Sequence, residues 1–377
     1  MPRSLPLLLL AVGLAAGAAQ AGPGPLPPQP AGDPFPTDAW SEAEAPAGTD
    51  LSALDAAATR LFSFHGRNGL PDTRALLVAQ GGRIVFERYA DGFDRSSRFR
   101  SFSAGKSVMQ ALVARLVFEG RLDIDAPAPV PEWQGADDPR HAITIRNLLN
   151  MDSGLDNADG SGTDANSFAA RLLFGHESRD SAGFAARVQL VHPPGSHWAY
   201  STGTTQILSR IVAREAGGGR AGMIAFARDT LAAPLGIHSL VYEFDAVGTP
   251  LGGAYAWMTA RDWARLGLLY LRDGVWDGQR LFPEGWVRFT RTPGGAPNNG
   301  VYGAHFWVTG TPGPGQWSNL GADLDAFQMN GNGGQVVAML PRRDLLIVRL
   351  GETAEIDWPE LNEALSQIAR AFPLVWP

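Results

Sequence analysis

Apolar and polar positions follow two different periods along this chain, and the periods are segregated. ALLVAQ (75–80) and RIVFERYA (83–90) are β-rich runs on either side of Gly81-Gly82. A two-residue turn that tolerates positive φ between such runs predicts a hairpin. QVVAML (335–340) and LLIVRLG (345–351) flank PRRD (341–344) and predict a second hairpin. DWPELNEALSQIARAF (357–372) places Asp357 as N-cap, Pro359 in the first turn, and apolar residues at Leu361, Leu365, Ile368 and Ala369. That spacing predicts a helix. Another is expected from an Asp50 cap through about Gly66. Between these ends the pattern is helical or loop-like, with helices expected over 104–119 (stopped by Gly120), 143–151, 204–217 and 259–274. No repeat period is present. The economical architecture is α+β. An α/β lobe is built from about 51–102 and 325–377, and a mostly helical lobe, about 103–324, is inserted between them.

Three stretches stand outside this pattern. Residues 1–21 have Arg3 at their positive start, an almost wholly apolar run from Leu5 to Ala18, and the small-x-small site Ala19-Gln20-Ala21. They read as a secretory signal peptide, so a periplasmic or secreted protein is expected. Residues 22–50 are proline-rich and read as an extended leader, ordered near Trp40. The long, partly glycine-rich stretch 155–186 is expected to be a lid over a cleft.

Composition sharpens this. The chain has no cysteine, which excludes disulfides and thiol chemistry, so an exported form must stand on its core alone. The net charge of −7 gives no electrostatic footprint for nucleic acid. Of the 31 basic residues, thirty are arginine and one is lysine, Lys106. That bias makes a position that retains lysine worth a chemical explanation.

Lys106 lies in SFSAGKSVMQALVARLVFEG (101–120), three residues after Ser103. At a helix start, i and i+3 share a face and touch. A serine hydroxyl is a poor nucleophile until a base takes its proton. Lysine can be that base when burial beside a helix N-terminus lowers its pKa. Arginine cannot, because it does not lose its proton in proteins. Ser-x-x-Lys is the signature of penicillin-recognising serine hydrolases. Gly105-Lys106-Ser107 superficially resembles the end of a phosphate-binding loop, but position 100 is Arg100 where that loop needs glycine. There is no Gly-x-Ser-x-Gly elbow and no zinc-type histidine spacing. His192 and His197 fall in a Pro/Gly loop before Tyr200. No metal or cofactor is called for.

Further stretches carry a resemblance: VFERYADGF (85–93), EGRLDID (119–125), PEW (131–133), ITIRNLLNMDSGLD (143–156), WAYST (198–202), PLGI (234–237), the run 259–287 and GNGGQVVAMLPRRDLLIVRLG (331–351). Together with Ser-x-x-Lys, they resemble the serine β-lactamase-like superfamily of class C β-lactamases, penicillin-binding proteins and esterases. The branch most similar contains 6-aminohexanoate-dimer hydrolase. The resemblance implies an antiparallel sheet flanked by helices beside a helical lobe, with the site between them. It implies Ser103 as acylated nucleophile, Lys106 as base and Tyr200 as partner in proton transfer. It also implies substrate binding around Asn332, Gly333 and Gly334, with main-chain N–H groups of Ser103 and Gln335 as oxyanion donors. The expected partner is a small amide or ester. Two positions depart from the pattern. Thr202 replaces the asparagine of Tyr-x-Asn, and Asn332 replaces a basic residue that commonly holds a substrate carboxylate. The second departure favours esters or amides without a charge there over β-lactams or D-peptides. A non-catalytic envelope binding protein of the same fold is the competing reading. Trp198, Trp257, Trp307 and Trp317 either wall an acyl pocket or are ordinary core and surface residues.

Overall fold

The computed structural model describes residues 23–63, 72–135, 137–160, 164–308, 325–354 and 357–376. The signal-like segment 1–21 and Trp317 lie outside the described residues.

The first hairpin forms as the pattern predicts. Strand β1 (Thr73–Gln80) pairs with β2 (Arg83–Tyr89), and both turn glycines take positive φ, 57° at Gly81 and 68° at Gly82. Three short strands follow in the middle of the chain: β3 (Arg98–Arg100), β4 (Val241–Tyr242) and β5 (Ala256–Thr259), forming a separate sheet in the order β3-β5-β4. A small ribbon pairs β6 (Val275–Trp276) with β7 (Gln279–Arg280). The last strands are β8 (Trp307–Val308), β9 (Phe327–Gly331), β10 (Gln335–Leu340) and β11 (Leu345–Gly351). The main sheet runs β2-β1-β11-β10-β9-β8, antiparallel throughout. Its outermost strand β8 comes from the stretch assigned on sequence to the helical lobe. The β10–β11 turn closes through Asp344 at φ 46°, a left-handed position that asparagine and aspartate tolerate.

Strand alternation decides what covers each face. Leu76, Val78, Val336, Ala338 and Ile347 pack against α1 (Leu51–Ser63) and the C-terminal helix. Asp50 caps α1 by accepting from Ala53 N at 2.9 Å. Leu77, Ala79, Val337, Met339, Leu346 and Val348 face the opposite core. That core contains α2 (Gly105–Phe118), α3 (Ile145–Asn150), α4 (Phe168–Phe174), α5 (Ser181–Ala186) and α6 (Thr202–Glu215). It also includes α7 (Gly219–Ala227), α8 (Ala233–Leu235), α9 (Ala260–Leu271) and α10 (Trp286–Arg291). The C-terminal helix is α11 (Trp358–Ala371), and Asp357 precedes it without the expected side-chain cap bond.

Two stretches are more structured than their composition suggests. The stretch 155–186 is not a plain loop, for it carries α4, a 3₁₀ turn and α5, with Phe168 and Phe184 stacked at 4.9 Å. The leader is ordered at Trp40, as expected, and runs as a strap bound to the rest of the fold. Ala43 N donates to Ile84 O, and Ile84 N donates to Ser41 O, both at 2.9 Å, which extends the edge beyond β2. Arg265 donates to Pro36 O at 2.7 Å, Trp276 to Thr37 Oγ1 at 2.7 Å, and Trp40, 6% exposed, to Arg261 O at 3.1 Å. The prolines deny the strap regular structure, so partners elsewhere in the chain satisfy its carbonyls.

Candidate active site

Ser103 sits in a 3₁₀ turn, Phe102–Ala104, that runs directly into α2. The turn is held from below. Ser101 N donates to Ala256 O at 2.7 Å, and Ala256 N donates to Ser101 Oγ at 3.0 Å, tying the turn to β5. Phe102 takes φ 44°, an uncommon conformation for a bulky residue, directly before the serine. Gly105 follows because there is no room for more: a Cβ there would lie 2.7 Å from Gly252 O. Small residues around Ser103 thus let α2 begin close against another segment of backbone.

Lys106 is in the first turn of α2 and only 1% exposed. As an ammonium group its Nζ donates to Ser103 Oγ at 3.1 Å, Thr202 Oγ1 at 3.0 Å and Gly253 O at 3.0 Å. Burial brings the amine from 10.5 down to about 8, against the opposing pull of Asp159. Thr202 is the first residue of α6, whose cap Ser201 accepts from Thr204 N. The Thr202 hydroxyl donates to Asp159 Oδ2 at 2.7 Å, and its backbone N–H to Oδ1 at 2.5 Å. Burial raises the Asp159 carboxyl above its ordinary range, while Lys106 and the two Thr202 bonds pull it down.

Tyr200 is half-buried, hydrogen-bonded to Ser103, with Lys106 Nζ 4.9 Å from its ring centroid. Burial, reinforced by Asp159, raises its pKa, so the phenol keeps its proton. The tyrosine is therefore an acid at rest. Of the two residues expected to take a proton, only Lys106 has been moved toward neutrality. Tyr200 also packs on Tyr302 at 5.6 Å and Trp307 at 5.5 Å, and Trp198 lies 5.8 Å from Tyr302. Trp198 and Trp307 therefore belong to the aromatic wall behind Tyr200. Trp257 is elsewhere, on β5, donating to Glu243 at 2.8 Å.

The structure thus brings Ser103, Lys106, Tyr200 and Thr202 into one network. It treats the glycine-rich stretch differently. Gly333 and Gly334 form the β9–β10 turn at positive φ, and buried Arg349 donates to both their carbonyls at 2.9 Å. Asn332 is exposed and accepts from Gly333 N at 2.7 Å. Gln335 lies on β10 with its side chain turned to β11, where it bonds both backbone groups of Gly351. Gly331 on β9 abuts the nucleophile's segment, and a Cβ there would lie 2.2 Å from Ser101 O.

The β-lactamase family pattern matches residues 72–368. The chain belongs to the β-lactamase family. Within it, 6-aminohexanoate-dimer hydrolase of Paenarthrobacter ureafaciens is 28% identical over 345 residues, covering 85% of this chain and 84% of that protein. A protein of Bacillus anthracis assigned as a 6-aminohexanoate-dimer hydrolase superposes with a TM-score of 0.67 at 20% identity, covering 89% of this chain and 88% of its own. EstCE1, a hydrolase with promiscuous acyltransferase activity, gives 0.61 at 18%, covering 85% and 97%. The last two likenesses establish shared fold. This member of the family is related to 6-aminohexanoate-dimer hydrolase and has the expected β-lactamase/transpeptidase-like fold. No helix among the described residues is long and apolar enough to cross a membrane.

Two site residues carry no motif in the sequence, Asp159 and Gly253. Asp159 lies in the stretch expected to be a lid. Gly253 follows Gly252 just before β5, and the Gly-Gly pair is the one available signal. Its carbonyl faces Lys106 at 3.0 Å because Thr202 already fills the space a side chain would take, its Cγ2 standing 2.8 Å from where a Cβ would lie.

Proposed function

We propose that the protein is an exported serine hydrolase that cleaves an amide or ester bond through an acyl-enzyme on Ser103. The observation that carries this reading is the buried contact between Lys106 Nζ and Ser103 Oγ at 3.1 Å, with the amine brought to about 8. Neutral Lys106 takes the Ser103 proton as Oγ bonds to the substrate carbonyl carbon. Tyr200, a protonated phenol beside Ser103, donates to the leaving group, and the proton that Lys106 took from Ser103 passes to the phenolate, whose ring lies 4.9 Å from Nζ. The Ser103 N–H and an N–H from the end of β9, at Gly331 or Asn332, hold the oxyanion. The Gln335 N–H, on the residue paired with Gly331 across the hairpin, is the alternative second donor. Water then releases the acid by the reverse proton path.

Exposed, uncharged Asn332 supports a substrate without a carboxylate at that point, such as a simple ester or an amide of the 6-aminohexanoate type. Export rests on the signal-like residues 1–21. The test is fluorophosphonate labelling of the purified protein, read by mass spectrometry. Turnover is measured beside it on short p-nitrophenyl esters, 6-aminohexanoate oligomers, D-amino-acid peptides and a chromogenic cephalosporin. An adduct on Ser103 is expected, with ester or oligomer turnover lost in Ser103→Ala and reduced by orders of magnitude in Lys106→Arg. No adduct, or turnover unchanged in Ser103→Ala, overturns the reading.

A further inference from the structure

Asp159 has no place in the mechanism above, yet it is the carboxylate built into its network. Consider which way each hydrogen bond can run. Lys106 Nζ has three partners: Gly253 O, Thr202 Oγ1 and Ser103 Oγ. A carbonyl oxygen only accepts. An ionised carboxylate also only accepts, and both oxygens of Asp159 are taken by Thr202, one by its N–H at 2.5 Å and one by its hydroxyl at 2.7 Å. The single hydroxyl proton of Thr202 is thereby committed to Asp159, so toward Lys106 the same oxygen can only accept. A neutral lysine has two N–H groups and one lone pair. Gly253 O and Thr202 Oγ1 consume both N–H groups. The lone pair is left facing Ser103, whose O–H can then donate to it.

We infer that Asp159 is a positioning residue that fixes the direction of the Thr202–Lys106 hydrogen bond and so aims the lone pair of neutral Lys106 at Ser103. Without it, the Thr202 hydroxyl is free to donate to Nζ. That occupies the lone pair and turns an N–H toward Ser103, the arrangement that cannot remove its proton. The asparagine expected at position 202 would present an amide oxygen, an acceptor without further help. A threonine hydroxyl can run either way, and Asp159 removes the choice. In the acylation step, the Ser103 proton passes to Nζ as Oγ bonds to carbon and the carbonyl π pair moves to oxygen. The protons of Thr202 stay where they were.

This inference rests on the serine-hydrolase reading, and the experiment separates the two. Wild type, Asp159→Asn, Thr202→Val, Thr202→Ser and the Asp159→Asn/Thr202→Val double variant are each labelled with a fluorophosphonate and assayed on p-nitrophenyl butyrate across pH. Absence of label on wild-type Ser103 overturns the hydrolase reading and this inference with it. With wild type labelled, Asp159→Asn should lower kcat at least tenfold with KM changed by less than about threefold. Its acid limb should also move to lower pH, because the negative charge that favours the ammonium form of Lys106 has gone. That shift reports the lost charge, and the Thr202 variants report the positioning. Thr202→Ser should stay within a few-fold of wild type, and Thr202→Val should fall about as far as Asp159→Asn. In the double variant the losses should coincide rather than multiply. Wild-type kcat and an unmoved limb in Asp159→Asn would overturn the assignment alone. If Asp159→Asn does not fold, equal activity of Thr202→Ser and Thr202→Val would do the same.

Discussion

A buried lysine that must lose its proton leaves a signature in stability as well as in rate. In the unfolded chain Lys106 titrates at its ordinary 10.5, and in the fold at about 8. Below pH 8 both states hold the proton, and the folded state bears the whole desolvation penalty. Between pH 8 and 10.5 the folded chain releases a proton that the unfolded chain keeps, so stability rises with pH. Above 10.5 both forms are neutral and the penalty is gone. A separation of about 2.5 pH units corresponds to about 3 kcal/mol over the full range, of which about 2 kcal/mol falls between pH 7 and pH 9.5. Lys106→Met removes the titration while keeping a straight, buried side chain of similar volume. Urea unfolding of both proteins at pH 7, 8, 9 and 9.5 isolates the effect, because all other groups titrate nearly alike and cancel in the difference. Wild-type stability minus variant stability should rise by about 2 kcal/mol across that range. A difference flat to within about 0.5 kcal/mol would mean that burial does not oppose the ammonium form, and Lys106 would lose its claim to be the base near neutral pH.

Other expectations follow from the same geometry. The acid limb of kcat/KM for the free protein should have its midpoint near pH 8 and fall about tenfold per pH unit below it, as only neutral Lys106 accepts the serine proton; a limb near pH 5 would point to a carboxylate base instead. Gly331→Ala places a Cβ 2.2 Å from the fixed Ser101 carbonyl. It should destabilise by about 1–3 kcal/mol and reduce turnover, and unchanged melting and activity would contradict the contact. Trp40→Ala removes the buried anchor of the strap and should destabilise by about 3 kcal/mol in chemical unfolding, whereas a change under about 0.5 kcal/mol would mean the strap is not part of the fold.

The hairpins at 75–90 and 335–351, the C-terminal helix and the Ser103–Lys106 pair could all be read from sequence. Each depends on interactions between residues only a few positions apart: a period of two, a turn that needs Gly81-Gly82, an i,i+3 contact at a helix start. Tyr200 and Thr202 needed the family resemblance, because nothing local distinguishes a catalytic tyrosine from a core one. The role of Gly333-Gly334 was not legible for a related reason. A glycine pair signals a backbone requirement, here a turn pinned by Arg349, without saying what the requirement serves. The contacts of the leader were not legible because prolines suppress every periodic signal, while the arginine and tryptophan donors that bind it lie elsewhere in the chain.

One lysine among thirty arginines is a property of the sequence alone, and so is its serine three residues before. Whether that lysine can act as a base is a property of tertiary structure. Its proton is loosened by burial, and burial comes from α6 and the Gly252-Gly253 backbone packing over α2. Its partners Thr202 and Gly253 stand 96 and 147 residues away in the chain, and Asp159 stands 43 residues from the threonine it commits. Desolvation and hydrogen-bond direction depend on what surrounds an atom on every side, and a chain acquires those surroundings only when it folds.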